Sequence, residues 1–143
     1  MFLGEYKHII DEKGRIFIPT KFHAQLKAGA VLTRGLDNCL FLLPIKDWEV
    51  LAAKIKALPL TQSNSRAFSR LMLAGASEAK LDSQGRMLVT DFLKQFANIE
   101  KNVVIVGVYD RLEIWEESAW EKYKQQTEKD SNEIAENLTN LGI

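Results

Sequence analysis

Asp11-Glu12-Lys13-Gly14-Arg15 and Asp82-Ser83-Gln84-Gly85-Arg86 set a carboxylate and a guanidinium four residues apart in one frame, Asp-x-x-Gly-Arg, repeated at an offset of 71 residues. Two chemistries are open to such a pair. An Arg where a tight turn meets a strand suits phosphate contact and bidentate reading of a guanine edge, and Lys13 adds charge beside it. Alternatively, a pseudo-twofold could bring Asp11 and Asp82 together to share a proton, as in a two-Asp hydrolase. The neighbours weigh against that second reading. Glu-Lys and Ser-Gln follow the two Asp residues, not the Thr/Ser-Gly of such sites, and an Arg four residues on would hold each carboxylate ionised. The bland alternative is structural: Asp11 and Asp82 cap turns, Gly14 and Gly85 supply φ > 0, and each Arg pairs with the Asp of its own turn or of its symmetry mate. His8, His23 and Cys39 have no metal-ligand spacing and no phosphate-binding loop is present, so neither metal nor cofactor is expected.

The elements around these motifs read as strand, turn, strand in both copies. Tyr6 to Ile10 should pair with Arg15 to Ile18 in a hairpin, and Ala79 to Leu81 with Arg86 to Val89 in another. Pro19 stops the first, Thr20 caps a short helix carrying Phe22 and Leu26, and Asp91 marks the matching helix in the second copy. Val31 to Thr33 pairs with Leu40 to Leu43 across a turn at 34–38, and the second copy ends in the strands Val103 to Tyr109 and Leu112 to Trp115. Asp47 caps a longer helix with the stripe Trp48, Leu51, Ile55, Leu58, and Ser118 opens a capping box before Trp120. A helix runs from about Arg66 to Leu73, after a polar, linker-like stretch at 61–65. Phe22 matches Leu93, while Gly35, Leu40, Leu42 and Trp48 match Gly107, Leu112, Ile114 and Trp120 at an offset of 72. The reading is one compact, mainly β domain with peripheral helices (α+β). It divides into a first repeat at 1–60, a helix and linker at 61–78, a second repeat at 79–126 and a helical tail at 127–143, the repeats being related by a pseudo-twofold.

With 46% hydrophobic residues in 143, the chain can bury a real core, and its one Cys forms no internal disulfide. The start lacks the pattern of a signal peptide and no apolar run is long enough to span a bilayer, so a cytoplasmic home without membrane contact is expected. Net charge is +0, yet residues 1–34 carry six Lys/Arg against three acids and residues 116–137 three Lys against seven acids. One end can therefore meet an anion while the other stays acidic. Lys7, His8 and Lys21 flank the first motif, whereas Gln84 replaces Lys13 and Asp91 lies near in the second. The first turn should thus be the one that faces DNA.

Met1-Phe2-Leu3-Gly4-Glu5-Tyr6, the run Asp11 through Pro19, Leu81-Asp82-Ser83-Gln84-Gly85-Arg86 and Val106-Gly107-Val108 closely resemble the bacterial MraZ proteins over nearly the whole chain. The resemblance implies a duplicated swapped-hairpin β-barrel like that of AbrB and MazE, a ring-shaped homo-oligomer, and a non-enzymatic, nucleoid-associated regulator. Such a regulator would bind double-stranded DNA at short direct repeats in the promoter of the division and cell-wall gene cluster. Carried over residue by residue, the DNA contacts would be Lys13 and Arg15, with Arg86 a weaker candidate; the flanking Lys7 and His8 join them from the charge distribution, not from the resemblance. Two departures are Thr90, where relatives usually have Pro, and the want of a basic residue near His23. Assembly has a physical ground as well: the second hairpin and the helices of Trp48 and Trp120 leave more apolar surface than so small a barrel covers. The competing non-enzymatic reading is an oligomeric structural or interaction protein.

Overall fold

Alternation along the strands is answered by burial on both faces of one sheet. In the computed structural model, which describes residues 1–142, Val103 and Ile105 point into one apolar cluster and their neighbours Val104 and Val106 into another. Successive side chains of a strand leave on opposite sides, so a sheet covered twice needs apolar residues at every position. The strands are β1 (Phe2–Ile9), β2 (Arg15–Phe17), β3 (Ala30–Arg34), β4 (Leu40–Pro44), β5 (Ser77–Ala79), β6 (Arg86–Leu88), β7 (Asn102–Tyr109) and β8 (Leu112–Glu116). Six of them form an open antiparallel sheet in the order β1-β7-β8-β4-β3-β5, and β2 and β6 form a separate two-stranded ribbon. Among the described residues six α-helices complete the α+β architecture: α1 (His23–Leu26), α2 (Ile45–Lys56), α3 (Ser63–Ser69), α4 (Asp91–Phe96), α5 (Glu117–Lys129) and α6 (Ser131–Asn137).

The pairing corrects the two expected hairpins. β1 pairs with β7 along its whole length, and only the bridge Ile10–Ile16 joins it to the strand after the turn. β5 pairs with β3, not with β6. Each turn closes as expected, but the strand leaving it crosses to the strand leaving the other turn: Arg15 faces Leu88, Ile16 faces Met87 and Phe17 faces Arg86. The ribbon is extended by reciprocal bonds, Ile18 N–H to Gly85 O at 3.0 Å and Val89 N–H to Gly14 O at 2.8 Å. Turn chemistry fixes only the reversal. Where the outgoing strand finds its partner is set by burying Ile16 and Met87, each worth roughly 1.5–3 kcal/mol, in the first cluster.

A pseudo-twofold runs through the fold. Ile16 pairs with its own repeat equivalent Met87, and Phe41 in β4 with its equivalent Glu113 in β8. The expected match of Gly35 with Gly107 does not hold in space. Pro44 and Glu116 are equivalent and face Ala30 and Val103, so β3 and β7 align 73 apart and Gly107 corresponds to Arg34. Gly107 lies inside β7, so close to β1 that a Cβ would stand 2.5 Å from the Leu3 nitrogen, whereas Gly35 lies in a turn.

The first cluster fills the space between the sheet, the ribbon, α1 and α4; the second lies under α2, the π-helical turn Arg70–Ala74 that follows α3, and α5. Trp48 and Trp120 pack against this second cluster, so they are part of the cover and not the uncovered surface expected of them. Helix starts also differ from expectation. Thr20 begins a 3-10 turn after Pro19, Ile45 begins α2 after Pro44 with Asp47 inside its first turn, and Thr90 precedes α4, all without side-chain caps. Glu116, not Ser118, caps α5 by accepting the Ala119 N–H at 2.8 Å. Ser63 to Ser65, expected in a linker, are the first turn of α3. The tail forms α6, whose residues are all exposed, and Ile143 lies outside the described residues.

Candidate nucleic-acid interface

Each Asp-x-x-Gly-Arg motif builds the same small cage. Asp11 Oδ1 accepts the backbone N–H groups of Lys13 and Arg15, both at 2.9 Å, and Oδ2 accepts Nε–H of Arg15 at 2.8 Å. Asp82 does the same with Gln84, Arg86 and Arg86 Nε, all at 2.9 Å. Gly14 and Gly85, at φ +80° and +77°, return an N–H to the carbonyl of the Asp at 3.0 Å. The backbone N–H of the following Arg, with its guanidinium in support, holds each carboxyl below its ordinary pKa. Both are thus satisfied anions within their own turns. Antiparallel pairing puts the turns at opposite ends of the ribbon, about 13 Å apart along it at ~3.3 Å per residue. The geometry therefore opposes proton sharing between Asp11 and Asp82.

The outer face of the ribbon carries Arg15, Phe17, Arg86 and Leu88, since Ile16 and Met87 point inward. Arg15 lies across from Leu88, and Phe17 across from Arg86. Each arginine spends Nε on its own Asp, and among the described residues the Nη atoms of neither donate a hydrogen bond. Such an Arg is held at its base with its fork free, the form suited to a carboxylate, a phosphate or a guanine edge. Arg15 and Arg86 are equivalent here, their side chains 30% and 29% exposed, so the inequality expected of the two turns does not lie in the arginines and, at the turn tips, rests on Lys13 against Gln84. Both of those are exposed at the turn tips.

His8 and Lys7 are adjacent in β1 and therefore leave it on opposite sides. His8 packs on Phe17 with ring centroids 5.7 Å apart, and partial burial lowers its pKa. Lys7 lies on the α5 side, 4.0 Å from Glu121, next to the Glu5–Lys124 pair at 2.8 Å. The structure thus joins His8 to the ribbon and separates Lys7 from it. Lys21 lies over the Tyr6 ring, 4.6 Å from its centroid.

Sequence reasoning set His23 aside as ordinary. Its Nε2 is 2.6 Å from Ile18 O, its ring is 6.0 Å from Phe17, and it stands against the second turn, where a Cβ on Gly85 would meet it at 2.5 Å. Phe17 and Leu88 were also missed, although alternation after each Arg marks them as outward. Among the described residues no group of three or more His, Cys, Asp or Glu could hold a metal ion. Cys39 is buried, and that burial pushes its thiol pKa up, so it is no ready nucleophile.

The family model described as "MraZ protein, putative antitoxin-like" matches the chain twice, over residues 1–71 and 72–141. The chain is 48% identical over 143 residues to the "Transcriptional regulator MraZ" of Natranaerobius thermophilus, covering all of both chains. It is likewise 48% identical to that of Thermoanaerobacter sp. strain X514 and 46% to that of Desulfitobacterium hafniense strain DSM 10664, again over the full length of each. That name describes regulation of transcription, a non-enzymatic role. The two matched stretches each contain one caged Asp-x-x-Gly-Arg turn, and the chain belongs to the MraZ family.

Proposed function

We propose that the chain is a sequence-specific DNA-binding transcriptional regulator whose ribbon face, with Arg15 and Arg86 projecting from their Asp cages and Lys13 and His8 beside them, is the DNA-contacting surface. The observation that carries this reading is the pair of arginines anchored through Nε with unoccupied Nη forks on one exposed two-stranded ribbon. Two-stranded ribbons fit a major groove. Phe17 and Leu88 add apolar surface suited to thymine methyl groups. Lys13 supplies phosphate contact at the first turn. Lys7 contributes at most general positive potential.

The finer parts of the reading rest on resemblance and on duplication. The target is short direct repeats in the promoter of the division and cell-wall gene cluster, and the setting is the cytoplasmic nucleoid. The crossing of β2 to β6 supports a swapped-hairpin, AbrB-like arrangement of two repeats, 1–60 and 79–126, joined by 61–78 and followed by the tail. Self-assembly into a ring would turn a neutral protomer with one basic edge into an array that meets successive repeats with avidity. The test is a gel-shift assay with DNA from upstream of the protein's own gene against unrelated DNA of equal length. Preferential retardation of the upstream fragment is expected; equal binding to both would leave a general nucleic-acid binder, and no binding a structural protein.

A further inference from the structure

The tail helix and a groove far along the chain carry complementary chemistry. Every residue of α6 is exposed. Ile134 and Leu138 lie one helical turn apart at 42% and 46% exposure, followed by Leu141 at 65%. Asp130, Glu133 and Glu136 flank them. Among the described residues, nothing in the same chain covers this stripe. On the cover of the second cluster, α2, the segment 57–62 and α3 enclose a groove of about 330 Å³ lined on its apolar side by Ile55, Leu58, Pro59 and Leu60. Leu60 is 81% exposed, the most exposed large apolar side chain of the chain's described residues. Its rim is basic: Lys56, Arg66 and Arg70. Arg66 Nη1 donates to Leu60 O at 3.2 Å and holds the loop in place, while Lys56 and Arg70 are exposed.

An acidic amphipathic helix with no cover and an apolar groove with a basic rim are a match in shape class and in sign of charge. We infer that α6 of one copy docks in the α2–α3 groove of the next copy, with Ile134 and Leu138 against Leu58 and Leu60, and Glu133 and Glu136 toward Lys56 and Arg70. The contact joins two different surfaces, so it is head-to-tail, and repetition closes a ring or extends a filament according to the rotation per step. Opposite potentials also set the orientation and exclude the like-charged alternatives. This inference rests on the self-assembly proposed above and names the surface that carries it.

The experiment uses the full chain and measures mass by light scattering after size exclusion, at micromolar concentration, with circular dichroism as the control for folding. The parent should run well above a dimer. Lys56→Glu with Arg70→Glu should lower the mass to the monomer or dimer, as should Glu133→Lys with Glu136→Lys. All four together should restore the parent mass, because the charges are exchanged and not removed. Leu138→Asp should dissociate the assembly without rescue. These positions are exposed, so the far-ultraviolet spectrum should not change. A parent that is itself monomeric would overturn the self-assembly reading. A parent assembly whose mass survives every one of these changes would overturn this interface alone.

Discussion

Nε–H of Arg15 donates to Oδ2 of Asp11 at 2.8 Å while the backbone N–H of the same Arg15 donates to Oδ1 at 2.9 Å. One carboxylate thereby fixes both the main chain and the side chain of the residue that must project. Asp11→Ala leaves the arginine present but unheld, and Arg15→Ala removes it. Both should weaken operator binding with assembly intact, Arg15→Ala by roughly 1–3 kcal/mol per engaged protomer if it reads a base. Gel-shift titrations read the loss, and an Arg15→Ala protein that binds like the parent would remove this residue from the interface. Because Arg86 sits in the same cage, Arg86→Ala should also lower affinity while leaving the fold unchanged.

Lys13 and Gln84 occupy the same place in the two turns, and only Lys13 carries charge. A lysine that neutralises a phosphate releases a counterion, so its removal should lower the slope of log K against log salt by about 0.9 per protomer. Lys13→Ala should flatten that slope and Gln84→Ala should leave it alone. Equal changes from the two would mean that both turns meet DNA in the same way.

The caged carboxylates also set a pH limit. Asp11 and Asp82 titrate lower in the folded chain than in the unfolded one, where an Asp pKa is about 3.9. Their contribution is therefore complete above that value and lost as pH falls through the lower folded one. Urea midpoints measured from pH 7 down to 3 should drop over the acid end. The double variant Asp11→Asn, Asp82→Asn should start lower and drop less.

Thr90 stands where Pro19 stands in the first repeat, with φ −66° and ψ 156° against −50° and 133°. Its hydroxyl is buried without a hydrogen-bond partner among the described residues, and its φ is one that proline adopts freely. Thr90→Pro should stabilise the fold by about 0.4–1 kcal/mol through the unfolded chain alone, with loss of the orphan hydroxyl adding to it. A lowered melting temperature would show that the backbone N–H of Thr90 matters more than its φ.

The two turn glycines should differ in what they tolerate. Both sit at positive φ, but a Cβ at Gly14 would meet Val89 O at 3.0 Å, whereas at Gly85 it would stand 2.5 Å from a ring carbon of His23. Gly85→Ala should cost more stability than Gly14→Ala, and His23→Ala should recover part of the difference. Chemical denaturation of the parent, the single variants and the Gly85→Ala, His23→Ala double variant decides this.

The duplication, the β3–β4 pair, the two turns and the pairing of each Arg with the Asp of its own turn, one of the alternatives left open, were legible because each rests on local spacing. What was not legible depends on partners far along the chain. β2 meets β6 and β1 meets β7 because that buries Ile16, Met87 and Phe2 in a shared core, and no local signal distinguishes this from two plain hairpins. His23 gave no signal because its role is contact with Ile18 O and the second turn. The acidic Asp91 near Arg86 in sequence ranks it below Arg15, yet Asp91 leaves its cage unchanged and the two arginines are held alike.

The pairing of β1 with β7 sets Phe2 against Tyr109 and Ile9 against Asn102. During synthesis the first strand leaves the ribosome long before its partner exists, and β2 waits in the same way for β6. Neither repeat can close on its own strands, so the emerging chain carries unpaired strand edges until most of it has been made, a stage at which such edges invite association with other chains. Folding should then be slow for the chain's size, as long-range pairings make it, and a chain truncated before β7 should stay open and prone to aggregate instead of folding as half a protein.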